Sequence, residues 1–223
     1  MTDPIWETRV KIAELGHLMF DRFLTDTAGG NISARVGDLV CITARHCGSK
    51  FRWRIRPEQV IVADLMGNKL EGEGDLSREA KVHLKLLSDF PESNAVVHCH
   101  PRNVMVFAIT CQPIFSVMEG TLKLGTIKVA KFAPAHSSHL SEHIAEEFLG
   151  QEERIRKYAA AVIAPYHGLF VLGKDLDTAF DAAERIEVSA HCILSARLLQ
   201  PISFKTLEET SAAISQEILS FEE

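Results

Sequence analysis

The chain has 223 residues, of which 46% are hydrophobic and 24% are charged, and its formal net charge is −6. This composition is that of a globular protein and excludes a disordered, collagen-like or coiled-coil chain. Because sequence-independent nucleic-acid binding depends on clustered Lys and Arg, the acidic balance argues against a DNA or RNA partner. No repeat, low-complexity tract or linker divides the sequence, so we expect a single domain over residues 1–223.

The lengths of the apolar segments and the pattern of cysteines predict the cellular location of the protein. No stretch approaches the roughly 20 apolar residues that span a bilayer, and the first residues lack the basic and apolar segments of a signal peptide. The five cysteines are odd in number and scattered, without a C-x-x-C pair, which favours reduced thiols. The sequence therefore predicts a cytoplasmic protein with no membrane partner.

The first part of the chain is predicted to hold two helices and four short strands. Apolar residues recur at helical spacing over 5–24, and a second helix follows Ser77 as its N-cap and ends near 90–91. Strands are predicted at 32–36, 39–43, 60–63 and 69–70, the first two as a hairpin. Polar and basic residues over 44–57 predict a surface loop, with a strand at 51–55 as an alternative.

The second part alternates strands and helices. Strands are predicted at 94–100, 126–132, 159–164 and 169–172, and helices at 102–110, 141–148, 175–199 and 207–219. Ser141 is the expected N-cap of its helix, Pro201 is expected to end the long one, and the weakly apolar last helix is expected to dock only on a partner subunit. Since several connections are too short for crossovers, the fold class is α/β with a largely antiparallel sheet.

His98 and His100 form an H-x-H pair on the strand at 94–100. Residues i and i+2 of a strand share a face, so the two imidazoles can converge on one ion such as Zn²⁺. A third ligand must come from elsewhere, and His167 lies in a turn beside Gly168, which permits a sharp bend. The competing interpretation of His167 is a turn histidine with its side chain in water.

His139 and His143 are a rival pair at helical i, i+4 spacing. They rank lower because a helix that starts at Ser141 leaves His139 outside it. Glu79 has two interpretations: a carboxylate that complements the positive helix N-terminus, or a general acid/base beside a bound ion. The other histidines, at 17, 46, 83, 136 and 191, have no assigned partner.

Four segments resemble the class II aldolase/adducin family. They are Gly-Gly-Asn-Ile-Ser at 29–33, Ser-Arg-Glu at 77–79, Ala-Val-Val-His-Cys-His at 95–100, and His-Gly-Leu at 167–169, ahead of the long helix. They occur in the family's order, and the resemblance runs from about residue 5 to 199. It implies a three-layer α/β/α fold around a mostly antiparallel sheet and assembly as a homotetramer.

The resemblance also implies a metal-dependent reaction. His98, His100 and His167 match the family's zinc ligands, with Mn²⁺ or Co²⁺ as alternative ions, and Glu79 matches its catalytic acid/base. The implied activity is that of a lyase, an aldolase that cleaves a small phosphorylated sugar of the ketose 1-phosphate type through a metal-stabilised enediolate.

Five further residues are implied in substrate binding. Gly30 and Asn31 match the loop that holds the substrate phosphate, and Ser77 matches the first of two serines with the same task. Arg78 replaces the second serine and can bind phosphate or carboxylate bidentately. Gly48 lies where the aldolases have a phosphate-contacting Thr-Gly, in a loop with a two-residue insertion.

The small number of tyrosines leaves reactions other than aldol cleavage as alternatives. Aldolases of this family use tyrosines in proton transfer to the aldehyde, whereas this chain has only Tyr158 and Tyr166, both before His167. The decarboxylase, dehydratase and epimerase branches of the family therefore remain alternatives, although the epimerases carry aspartate in place of Glu79. A non-enzymatic, adducin-like module is expected to have lost its metal ligands, so the retained histidines favour an enzyme.

Overall fold

The structure, a computed structural model, describes residues 3–199 and 203–221. Its helices are α1 Pro4–Asp21, α2 Cys47–Phe51, α3 Ala80–Asp89, α4 Arg102–Thr110, α5 Ser138–Phe148, α6 Glu152–Lys157, α7 Leu176–Leu199 and α8 Phe204–Phe221. Its strands are β1 Asn31–Val36, β2 Leu39–Thr43, β3 Val60–Asp64, β4 Lys69–Glu71, β5 Ala95–Cys99, β6 Lys128–Val129, β7 Ala159–Ala164 and β8 Gly168–Gly173. Short 3-10 helices occur at Pro57–Gln59 and Glu119–Leu124.

The eight strands form one sheet in the order β4-β3-β2-β1-β5-β8-β7-β6. Neighbouring strands are antiparallel except β6 and β7, which are parallel. The predicted β1–β2 hairpin is present, with Val36 opposite Leu39 around a turn in which Gly37 has a φ of +60°. The predicted α/β class with a mostly antiparallel sheet is confirmed.

Helices cover both faces of the sheet, as the side chains of two consecutive residues on β5 indicate. The ring of His98 stacks on Phe170, which in turn meets His83 of α3, whereas the thiol of Cys99 lies near Glu187 of α7. Helices α3 and α5 pack together on the first face, and α4 and α7 pack together on the second. Every residue of β7 and β8 is buried, as expected for strands covered on both sides.

Residues 44–57 and 126–132 differ from the sequence predictions. The first segment contains the short helix α2 and no strand at 51–55, because Arg52 and Trp53 have φ values of +49° and +63°. The indole of Trp53 turns inward, is 1% exposed, and donates its N–H to the carbonyl of Asp26. In the second segment only Lys128–Val129 pairs as a strand, at the edge of the sheet, and Phe132 is exposed.

Two predicted N-caps are wrong. Helix α3 begins at Ala80 rather than directly after Ser77, whose hydroxyl instead accepts hydrogen bonds from the side chain of Asn31 and the N–H of Glu79. Helix α5 is capped by Ser137, which accepts the N–H of Leu140, so it begins three residues before Ser141. The short helix α6 was not anticipated from the sequence.

The C-terminal helices differ from expectation at one point. Helix α8 contacts the 3-10 helix Glu119–Leu124 of its own chain, and Leu207 of α8 is buried within the chain, so docking on a partner alone is wrong. Pro201, the expected end of α7, lies outside the described residues. Within the described ranges, none of the helices combines the length and the apolar character needed to span a bilayer.

Candidate metal centre

His98 is held rigidly at the end of β5. It is 1% exposed, and its Nδ1 lies 3.0 Å from the carbonyl oxygen of Leu169 on β8. Because a carbonyl can only accept, Nδ1 carries the proton and Nε2 is left as a lone-pair donor. Nε2 is buried and has no hydrogen-bond partner. The imidazole is therefore oriented as a metal ligand usually is, with one nitrogen on the backbone and the other free.

His167 reaches the same place from the β7–β8 connection. Its N–H donates to the carbonyl of Ala164, and β8 resumes at the next residue, Gly168. A Cβ at Gly168 would lie 2.6 Å from both the carbonyl oxygen of Cys99 and Cδ2 of His100. Only glycine therefore lets this turn approach the end of β5, which explains the His-Gly pair.

The three predicted ligands converge. One nitrogen from each of His98, His100 and His167 lies within 4.8 Å of the others, and the ring centroids are 4.9–5.8 Å apart. Burial lowers the pKa of all three imidazoles, so they are neutral and have free lone pairs at pH 7. Each ring also has a buried nitrogen without a hydrogen-bond partner. This donor set fits a divalent cation of the zinc type.

The rival pair does not form a comparable group. His139 and His143 both lie in α5, since the helix begins earlier than predicted, and their ring centroids are 6.4 Å apart. The stated ground for ranking them lower is therefore wrong. However, no third His, Cys, Asp or Glu side chain from the described part of the chain converges with them, as happens around His98.

Glu79 directly precedes α3 but does not cap it. Its side chain makes no hydrogen bond to the helix N-terminus and is only 8% exposed. Oε2 lies 4.0 Å from Nε2 of His167, and Oε1 lies 2.5 Å from Nδ1 of His136, without the geometry of a hydrogen bond. The position of Glu79 therefore agrees with a carboxylate beside the candidate ion, and it does not agree with a carboxylate that complements the N-terminus of α3.

A polar loop borders the three imidazoles. Oδ1 of Asp26 accepts the N–H groups of Ala28 and Gly29 and lies 3.6 Å from Nδ1 of His100. A Cβ at Gly29 would lie 2.1 Å from Cε1 of His100, and Gly30 has a φ of +99°. Gly29 is thus required because the loop lies so close to His100, and Gly30 is required because of its positive φ.

The predicted substrate-binding residues open onto the same cleft, whose volume is about 260 Å³. Its walls include every residue assigned from the sequence to catalysis, metal binding or substrate binding: Gly30, Asn31, Gly48, Ser77, Arg78, Glu79, His98, His100 and His167. Nδ2 of Asn31 donates to the hydroxyl of Ser77 at 2.9 Å, which links the glycine loop to the segment that carries Glu79. The structure therefore brings these residues together.

Sequence reasoning missed several cleft residues. Arg45, His46 and His136 also line the cleft, and Asp26 lies behind His100. The polar and basic sequence at 44–57 predicts only that Arg45 and His46 lie on the surface. No local pattern pairs His136 with Glu79, because the two are brought together only by the fold.

The chain belongs to the class II aldolase/adducin family: residues 10–194 match the family model described as the class II aldolase and adducin N-terminal domain. It is 29% identical over 171 residues to an L-fuculose phosphate aldolase of Methanococcus maripaludis, covering 76% of this chain and 87% of that protein. It is 26% identical over 204 residues to a methylthioribulose-1-phosphate dehydratase of Methylococcus capsulatus, covering 84% and 93%.

The fold is also that of solved relatives. A structure of L-fuculose 1-phosphate aldolase matches with a TM-score of 0.77 at 22% sequence identity, covering 96% of this chain and 98% of the other. The family and the three-layer fold expected from the sequence are thus confirmed.

Proposed function

We propose that this protein is a zinc-dependent lyase that cleaves a carbon–carbon bond of a small phosphorylated sugar of the ketose 1-phosphate type, within a single domain spanning residues 1–223. The observation that carries the proposal is the convergence of three imidazole nitrogens within 4.8 Å of one another, in a cleft that also holds a buried carboxylate. The similarity to a named L-fuculose phosphate aldolase supports the substrate class.

His98, His100 and His167 are the proposed ligands. A divalent cation held by these residues would act as a Lewis acid on the substrate. The chain supplies neutral donors held at the ends of two adjacent strands, with the hydrogen bond from His98 to Leu169 fixing one ring. Imidazole does not select strictly among Zn²⁺, Mn²⁺ and Co²⁺, so ion identity is an outcome of the experiment.

Glu79 is the proposed acid/base. Its oxygens are buried and have no hydrogen-bond partner, so a lone pair is available to accept the proton of a substrate hydroxyl as the adjacent carbon–carbon bond breaks. The same group then delivers that proton to the carbon that keeps the bonding electrons. Its Oε2 lies 4.0 Å from the nearest proposed ligand, within reach of a substrate bound beside the imidazoles.

The polar groups that line the cleft beside Glu79 and the imidazoles form the proposed anion site. The backbone N–H of Gly30, the side chains of Asn31 and Ser77, the loop at Gly48 and the exposed guanidinium of Arg78 supply donors there. Binding energy from the phosphate then orients the reacting end of the substrate toward Glu79.

A dehydratase is the second candidate, with the decarboxylase and epimerase branches of the family behind it. The similarity to a named methylthioribulose-1-phosphate dehydratase favours it, as does the lack of any tyrosine after His167. The two reactions differ in their products, because an aldolase releases two carbon fragments, whereas a dehydratase releases water and keeps the carbon chain intact.

We also propose that the protein is cytoplasmic and works as a homotetramer. Exposed apolar side chains next to the His167 turn support assembly: Phe132 and Tyr166 are 56% and 61% exposed, and their rings lie 5.7 Å apart. Light scattering on the purified protein measures the assembly directly, and a monomer at micromolar concentration would contradict it.

The experiment is a screen of ketose 1-phosphates and 3-oxo acid phosphates with the wild type, Glu79→Gln and the control Glu142→Gln. Glu142 is an exposed glutamate of α5 outside the cleft. Loss of the acid/base is expected to lower kcat by about 10²–10⁴-fold with unchanged metal content, and the control is expected to match the wild type. Full turnover by Glu79→Gln would remove the acid/base assignment, and mass analysis of the products separates aldolase from dehydratase.

A further inference from the structure

His136 has a backbone conformation that side chains rarely adopt. Its φ is +67°, and it directly precedes Ser137, the N-cap of α5. Outside glycine, such left-handed residues are uncommon, although His, Asn and Asp are enriched among them. They persist where the surrounding structure holds them, often at functional sites. The chain therefore keeps an imidazole at a position where glycine is free of strain.

The imidazole of His136 enters the candidate metal cleft and meets the carboxylate of Glu79. Nδ1 lies 2.5 Å from Oε1, and this nitrogen is buried and has no other partner. The contact lacks hydrogen-bond geometry, but the separation is within hydrogen-bonding distance. The second oxygen, Oε2, is the one that lies 4.0 Å from His167. The carboxylate thus lies between His136 and His167.

Little else holds this carboxylate. Neither oxygen has a hydrogen-bond partner, and Glu79 makes no bond to the N-terminus of α3. Among the Lys, Arg and His side chains of the described residues, only His136 and His167 have a nitrogen within 4.0 Å of these oxygens. Because His167 is a proposed metal ligand, His136 is the donor left to fix the rotamer of Glu79.

We propose that His136 is a positioning residue, whose Nδ1–H binds Oε1 of Glu79 and so directs Oε2 toward the substrate beside His167. This inference rests on the proposed acid/base role of Glu79. His136 does not belong to the group of nitrogens that converge around His98, so we do not assign it as a metal ligand. Loss of metal on its substitution would instead indicate that role. Removing the imidazole frees the carboxylate to rotate out of line while leaving the three ligands in place.

The test compares His136→Gly with His136→Asn. Both residues tolerate a φ of +67°, so neither adds backbone strain, but only asparagine keeps an N–H donor near the position of Nδ1. Because a misplacement of about 1 Å can cost about 100-fold in rate, kcat of His136→Gly is expected to fall by about 10–100-fold. KM and metal content are expected to stay near wild-type values, and asparagine is expected to restore most of kcat. His139→Asn, an exposed histidine of α5, is the matched control.

A second measurement does not need turnover. In the metal-free protein with ¹⁵N-labelled histidine, the Nδ1–H signal of His136 is expected to be slow to exchange with water and to shift in Glu79→Gln. Wild-type kcat in His136→Gly, no recovery in His136→Asn, or loss of the metal in either variant would overturn the positioning role. If Glu79→Gln itself keeps full turnover, the proposed function fails instead, so the two failures are distinguishable.

Discussion

Gly29→Ala is expected to weaken metal binding without unfolding the protein. The added Cβ would lie 2.1 Å from Cε1 and 2.8 Å from Nε2 of His100. Non-bonded carbon atoms prefer separations of about 3.5–4.0 Å, so the ring must withdraw by about 1.4–1.9 Å. Zn–N bonds of about 2.0–2.1 Å do not tolerate such a shift, and His100 is lost as a ligand.

The expected loss of affinity follows from this displacement. Removing a residue that merely orients a ligand already costs about 10–100-fold in metal affinity, and displacing the ligand itself costs at least that much. This corresponds to about 1.4 kcal/mol for each factor of ten. The thermal midpoint of the metal-free protein is expected to change little, because the clash is with a side chain in the cleft rather than with backbone.

The assay is titration of metal-free protein with Zn²⁺ against a competing chelator. Gly120→Ala is the matched control, because its added Cβ meets only the tip of Arg185, at 3.2 Å, away from the cleft. If Gly29→Ala binds Zn²⁺ as tightly as Gly120→Ala and the wild type, His100 is not a ligand in the arrangement described here.

Three further predictions follow from other contacts. Asp26→Asn is expected to lower Zn²⁺ affinity by about tenfold, near the low end for residues that orient a ligand, because its carboxylate lies 3.6 Å from Nδ1 of His100. Chelator competition measures the affinity, and an unchanged value would rule out an orienting role for Asp26. Glu187→Gln is expected to reduce the free energy of unfolding by about 1–3 kcal/mol, because the carboxylate accepts backbone N–H groups at the start of α4. Urea unfolding measures this free energy, and wild-type stability would contradict the prediction. Burial lowers the pKa of His83 from 6.5 to about 3, so only the unfolded state takes up this proton as the pH falls below 6.5. The metal-free protein is therefore expected to lose about 1.4 kcal/mol per pH unit from this residue alone between pH 6 and 4, and equal urea midpoints at those pH values would contradict it.

Much of the fold was predictable because the signals were local. The hairpin around Gly37, the apolar strand before Pro101 and the long helix from residue 176 follow from alternation, turn residues and helical periodicity. The basic segment 44–57 was not predictable, because Trp53 is buried through a positive φ and a hydrogen bond to Asp26, neither of which has a sequence signature.

The site was predictable where its residues form motifs. The H-x-H pair and the His-Gly turn are local signals, since residues i and i+2 of a strand share a face and glycine permits a sharp bend. His100 lies just beyond the end of β5 at Cys99. The contact of Glu79 with His136 joins residues 57 positions apart and depends on a strained backbone. Likewise, Ser77 resembles an N-cap, but its hydroxyl is used by Asn31, a partner known only from the fold.

X-ray absorption of the zinc-loaded protein tests the central claim most directly. One ion per chain is expected, with three imidazole nitrogens at about 2.0–2.1 Å, and His167→Ala is expected to lose one of those nitrogens while His139→Ala keeps all three. A protein that takes up only a small fraction of one ion per chain, or a zinc ion whose three imidazole nitrogens persist in His167→Ala, would contradict the metal centre and the activity proposed from it.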